Sequence, residues 1–144
     1  MSLRKTLPAD IEQIIASGDV EAVAQAVARC EIGAYLRGSA YESRLMHFPA
    51  SEEITDFLLA RGEDINSRDR YGRTPIHARV RSRCLDQIPL LIARGGDINA
   101  RDTSDQTALY DVVERFPVAD VSRMMLWGAD PLVVADSRVY GKAT

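Results

Sequence analysis

Apolar residues return at helical spacing along most of the chain, and short polar phrases marked by glycine interrupt them at regular intervals. Ile11, Ile14 and Ile15 share one face of a stretch from Asp10 to Ala16, which Ser17-Gly18-Asp19 breaks. Asp19 stands where its carboxylate can cap a second helix carrying Val20, Val23, Ala24 and Val27. Residues 30–40, with Gly33 and Gly38, show no clean period and read as irregular. A helix is predicted from about Tyr41 to Phe48, ending at Pro49. Ser51-Glu52-Glu53 opens the next one, offering a capping hydroxyl and two acids favoured by the helix dipole. Ile54, Phe57 and Leu58 form its apolar stripe, and Gly62 stops it in the left-handed conformation that glycine adopts most easily.

The ends of these helices repeat. Leu58-Leu59-Ala60-Arg61-Gly62 returns as Leu91-Ile92-Ala93-Arg94-Gly95 and again as Met125-Leu126-Trp127-Gly128, so the three glycines lie 33 residues apart. Asp64-Ile65-Asn66 returns as Asp97-Ile98-Asn99, Asp69 as Asp102, and Thr74 as Thr107. A period of this length denotes a supersecondary unit that cannot bury its apolar face alone and stacks on copies of itself.

The unit from 69 to 101 carries the fullest pattern, Asp69-Arg70-Tyr71-Gly72-Arg73-Thr74-Pro75-Ile76-His77-Ala78. It resembles the ankyrin repeat, a turn followed by Thr-Pro-Leu-His and two antiparallel helices. The resemblance implies an all-α solenoid of about four stacked helix-turn-helix repeats joined by short β-hairpin-like turns, with strand confined to a few hairpin residues. The chain then divides into a capping repeat over 8–35, repeats over 36–68, 69–101 and 102–134, and a tail or further turn over 135–144, all in one domain. The resemblance gives Thr74 the helix cap and Pro75 the first helical position, where a missing N–H costs nothing. It gives His77 a hydrogen bond to the turn backbone that ties neighbouring repeats together. Gly62, Gly95 and Gly128 close the second helices.

The departures are specific. In the unit before 69, Tyr41, Glu42 and Arg44 stand where Thr, Pro and His belong, and in the unit after it Ala108 and Tyr110 replace Pro and His. Arg83 and Phe116 occupy the usual inter-helix glycine, so those turns are expected to differ. Pro89 requires the second helix to start late, near Asp86, and the next second helix starts at Pro117. Arg79 replaces a small buried alanine and is either paired or at an edge. Met124, Met125 and Trp127 leave an apolar end, to be covered by residues 131–144, by further chain or by a second molecule. Trp127 is either a binding anchor or a lid on that end.

With 144 residues, 46% hydrophobic and 27% charged, the chain has the composition of one ordinary globular domain. No apolar run reaches the roughly 18 residues of a membrane helix, and the first residues carry no signal core, which leads to a cytoplasmic expectation. Cys30 and Cys84 have no metal-like spacing and read as reduced, partly buried thiols. The net charge of −3 conceals a division: residues 61–101 carry nine arginines against five acids, while both flanks are acidic. Sixteen of the eighteen basic residues are Arg, which offers a planar donor fork where Lys offers a point charge.

Catalytic constellations are missing from the sequence. A nucleophile–base site needs a convergent Ser or Cys, a His and an orienting acid, yet the chain has two histidines, His77 with a structural role and His47 late in a predicted helix. Asp64 and Asp97 read as turn formers. No phosphate loop, zinc motif or cofactor signature occurs, so no catalytic residue, cofactor or metal is expected. The resemblance places partner contacts on the hairpin tips and first-helix ends. The corresponding columns are Arg37, Arg70 and Thr103; Gly38, Tyr71 and Ser104; Ala40, Arg73 and Gln106; Phe48, Arg81 and Glu114; and Arg61, Arg94 and Trp127. The candidate contacts are Arg70, Tyr71, Arg73, Arg81, Arg94, Thr103, Ser104 and Gln106, on a basic face that is either a recognition surface or merely solvated. The expectation is a non-catalytic module binding a protein with an acidic patch, with no small-molecule substrate and no membrane. Small bacterial ankyrin proteins encoded beside toxins or effectors suggest an inhibitor or immunity role by analogy. Nucleic-acid binding through the arginines and end-to-end assembly are the alternatives; the acidic flanks and pI near 5.4 oppose the first.

Overall fold

The computed structural model describes residues 2–135. Of the tail or further turn expected over 135–144, residues 136–144 lie outside the described residues. Among the described residues helix accounts for 47% and strand for 8%, so the fold is mostly helical with a small two-stranded sheet in place of the all-α expectation. The order is β1 (Arg4–Thr6), α1 (Ile11–Ala16), α2 (Val20–Val27), β2 (Cys30–Tyr35), a 3₁₀ turn (Leu45–His47), α3 (Glu52–Ala60) and α4 (Pro75–Arg81). A second 3₁₀ turn (Leu85–Gln87), α5 (Ile88–Ala93), α6 (Ala108–Arg115), α7 (Val118–Leu126) and α8 (Pro131–Ala135) complete it. One cluster of buried residues runs from Leu7 to Ala129. No helix among the described residues is long and apolar enough to cross a membrane.

Contacts follow chain order. α1 pairs with α2, α4 with α5 and α6 with α7, while α4 also rests on the first 3₁₀ turn and on α6. The repeated glycines end their helices in one way. Gly62, Gly95 and Gly128 have φ of 111°, 99° and 110°. In each case the glycine N–H and the following N–H return to carbonyls of the last turn, as in Glu63 to Leu58, Gly96 to Leu91 and Ala129 to Met124. The Asp-Ile-Asn phrases then lock successive units. Asn66 donates to Gly95 O and accepts from Asp97 N (3.1 and 2.8 Å), and Asn99 repeats this with Gly128 O and Asp130 N (3.1 and 2.7 Å). Asp64 and Asp97 accept from Asn66 N and Asn99 N, as turn formers do.

The N-terminal third departs from the expectation. Residues 30–35, read as irregular, form β2, which pairs in parallel with β1. Arg61 and Glu63 fasten this sheet to α3. The Arg61 guanidinium donates to Val27 O, Cys30 O and Glu31 O, each at 3.1 Å, and to Glu63 at 3.0 Å, while Glu63 accepts from Gly33 N at 3.1 Å. The helix expected from Tyr41 to Phe48 shrinks to the 3₁₀ turn, and Phe48, assigned to a surface column, is 7% exposed. Arg44 has φ −89° and ψ 170°, identical to Thr74, so Arg44 and not Tyr41 heads this element. Three extra residues in the turn are offset by a shorter first helix.

Elsewhere single substitutions are absorbed locally. Arg83 is left-handed, with φ 59°, and its guanidinium lies 5.0 Å from the Phe116 ring centre. Phe116 is extended ahead of Pro117, as a residue preceding proline prefers. Pro89 falls in the first turn of α5. Arg79 is 1% exposed and not at an edge. It donates to Gln87 Oε1 at 2.8 Å and Met46 O at 3.0 Å, and burial pushes its pKa down to about 10. Of the apolar end, Met124 is fully buried, whereas Met125 and its neighbour Leu126 are exposed. Trp127 packs partly buried against the core beneath Arg123.

Candidate functional site

The turn before α4 is built before its side chains are aimed. Asp69 Oδ1 accepts from Tyr71 N and Arg73 N at 2.9 and 3.0 Å, and Asp69 N donates to Arg73 O at 3.0 Å. His47 Nε2 reaches the same carbonyl at 2.8 Å, while His47 Nδ1 accepts from Arg44 N at 3.1 Å. Because Nδ1 takes an amide proton, Nε2 carries the hydrogen and donates. His77 repeats the arrangement: Nδ1 accepts from Thr74 N at 3.2 Å and Nε2 donates to Gln106 O at 3.0 Å. Burial holds both imidazoles below their ordinary pKa, outweighing the nearby carbonyls and the fields of Asp69 and Asp102. Thr107, with Tyr110 and not a histidine three residues on, has no side-chain cap bond, and its hydroxyl is buried without a partner among the described residues.

Two tyrosines and two arginines meet on the frame so formed. Tyr41 and Tyr71 pack edge to face with ring centres 5.5 Å apart. The Arg73 guanidinium lies 5.3 Å from the Tyr41 centre and 5.9 Å from that of Tyr71. Arg81 lies 4.6 Å from the Tyr41 centre and donates to the Tyr41 hydroxyl at 2.6 Å. Each such cation–ring contact contributes about 0.5–2 kcal/mol, more when water is excluded. Arg70 N donates to Tyr41 O at 2.8 Å, which fixes the tyrosine against the turn.

The next tip continues the surface. Thr103 N and Oγ1 donate to Tyr71 O at 3.0 and 2.9 Å, and Asp102 Oδ1 accepts from Ser104 N and Gln106 N. Gly72 permits this approach: with φ +73°, a Cβ there would lie 2.9 Å from Thr103 Cγ2. Arg70, Tyr71, Thr103 and Ser104 are exposed, and Arg73, Arg81 and Gln106 half-buried.

Arg94 is not part of this group. Its guanidinium is held by Asp56 at 2.7 and 3.1 Å and by Glu52 at 2.8 Å, across to α3. These bonds raise the Arg94 pKa and lower that of Asp56. Arg61, in the same column, holds the N-terminal sheet. The sequence pattern marks Tyr41, the centre of the cluster, only as a misplaced cap, and His47 only as a residue late in a helix. The signal that finds both is Met46-His47 set against Ile76-His77, thirty residues apart and not thirty-three. Among the described residues no group of three or more His, Cys, Asp or Glu is placed to hold a metal. Compared with known proteins, the chain matches no family model and no curated relative.

Proposed function

We propose that this chain is a non-catalytic repeat protein of ankyrin type, a solenoid of helix pairs that binds a partner protein bearing an acidic patch. The partner face is the hairpin and first-helix surface of Arg70, Tyr71, Arg73 and Arg81, continued by Thr103, Ser104 and Gln106. The observation that carries this reading is the gathering of Arg73 and Arg81 on Tyr41 and Tyr71, held by backbone bonds from Asp69 and His47. Arg and Tyr are the residue types enriched at binding hot spots, and a frame fixed in advance loses little ordering entropy on association. The asparagine locks repeated between Asn66 and Asn99 support the solenoid, because each joins one unit to the next in the same way.

Affinity capture from the native host, with mass spectrometry of the retained proteins, tests the reading. Wild-type bait is expected to retain an acidic protein that bait carrying Tyr71→Ala and Arg81→Glu does not. Equal retention by both baits would refute the assignment of this face.

A further inference from the structure

We propose that the recess walled by Tyr41, Arg73 and Arg81 is an oxyanion pocket that takes one carboxylate side chain of the partner. The proposal rests on the protein-binding reading above and names the group recognised. The recess encloses about 290 Å³, room for a side chain and not for a folded element. Its walls carry two guanidinium groups and the Tyr41 hydroxyl. Among the described residues Arg73 Nε and Nη1 have no hydrogen-bond acceptor, and the closest carboxylate, Asp102, stands 3.9 Å from Nε, beyond hydrogen-bond reach. Both atoms are themselves covered, and the 21% of the Arg73 side chain that is exposed belongs to the rest of it, so a ligand meets this guanidinium at its outer edge. Arg81 donates to the Tyr41 oxygen, which leaves the Tyr41 hydroxyl proton to be given elsewhere. Ser39 accepts from Tyr41 N and likewise keeps its own proton to donate.

Carboxylates on the wall do not answer this demand, but they shape its selectivity. Asp69 Oδ1 is occupied by the amides of Tyr71 and Arg73, and Glu12 is exposed. Their negative charge opposes a doubly charged ligand more than a singly charged one, which favours carboxylate over phosphate. A planar carboxylate also suits the guanidinium fork.

The test is an NMR titration of the full ¹⁵N-labelled chain with sodium acetate, sodium phosphate and sodium chloride at matched ionic strength and pH 7.5. Acetate is expected to shift the Arg73 Nε–H and Tyr41 amide signals saturably, with a lower half-saturation concentration than phosphate, while chloride gives no saturation. Arg73→Lys retains the charge without the fork and is expected to weaken acetate binding at least tenfold. Tyr41→Phe, which keeps the ring, weakens it severalfold, and Arg94→Lys leaves it unchanged. A response that never saturates at Arg73, an undiminished one in both Arg73→Lys and Tyr41→Phe, or tighter binding of phosphate would overturn the pocket. A captured partner whose affinity survives Arg73→Lys, with no acetate response, removes the pocket and leaves protein binding standing. A saturable acetate response with no specific partner retained keeps the pocket and removes the protein-binding reading.

Discussion

Replacing His77 with alanine removes two hydrogen bonds, one within a turn and one between turns. The imidazole accepts from Thr74 N and donates to Gln106 O. Thr74 is 1% exposed, so its N–H is left without a partner in a dry site, at a cost of about 1–3 kcal/mol. Gln106 O keeps its bond from Asp102 N, so its loss is a single net hydrogen bond of about 0.5–1.5 kcal/mol. With the space vacated by a side chain only 2% exposed, the total comes to about 2–5 kcal/mol. Urea unfolding followed by far-UV circular dichroism reads the magnitude, and native-state hydrogen exchange reads the location. Because His77 joins α4 to the turn ahead of α6, the amides of α6 and α7 are expected to lose more protection than those of α1 and α2. Val118→Ala, at a position 79% exposed, serves as the control within about 0.5 kcal/mol. An unchanged urea midpoint, or protection lost evenly along the chain, would refute the reasoning.

Stability is expected to fall below pH 6.5. Burial lowers the His47 and His77 pKa values in the folded chain, so the unfolded chain binds more protons in the window below the ordinary value of 6.5. The stabilisation is therefore full above about 6.5 and declines by up to about 1.4 kcal/mol per pH unit for each histidine until the folded value is reached. A urea midpoint that stays flat from pH 7 to 5 in wild type would contradict this. Leu91→Ala, at a position 1% exposed, should cost about 2–5 kcal/mol, read as a fall in thermal midpoint of roughly 2–4 °C per kcal/mol. Gly72→Ala combines left-handed strain of about 1–2 kcal/mol with a clash on Thr103. It should broaden or shift the Thr103 and Ser104 amide signals, and an unaltered spectrum there would remove the proposed contact between tips.

The region from Gly62 to Gly128 was legible because each repeated residue has one local task. Glycine closes a helix, Asp and Asn form and lock a turn, and Thr-Pro-x-His builds a cap, and all of these act at fixed spacing. The N-terminal third hid itself for equally local reasons. β1 is the polar run Arg4-Lys5-Thr6, with no apolar alternation, and it forms because residues 30–35 offer it a partner. The first 3₁₀ turn is headed by Arg44, which caps no helix in ordinary sequences, and an offset of three residues concealed the equivalence of His47 and His77. Shifted by that offset, Tyr41 fell among the caps. Yet it is the ring on which Arg73 and Arg81 converge. Arg94, which like Arg61 stands between an alanine and the glycine that closes a helix, could not be separated from the surface arginines by pattern, because its partners Glu52 and Asp56 lie about forty residues earlier. Arg79 was legible as an anomaly, but its acceptors, a backbone carbonyl and an amide side chain, leave no trace in composition.

The most direct test of a recognition face built on arginine is the association rate of the captured partner at about 0.05 and 0.5 M salt, where screening shortens from over ten ångströms to a few. Wild type is expected to associate more slowly at high salt, and Arg70→Glu with Arg73→Glu to slow association at low salt and remove most of that dependence. A salt-independent association rate, together with full affinity in the double reversal, would contradict the account.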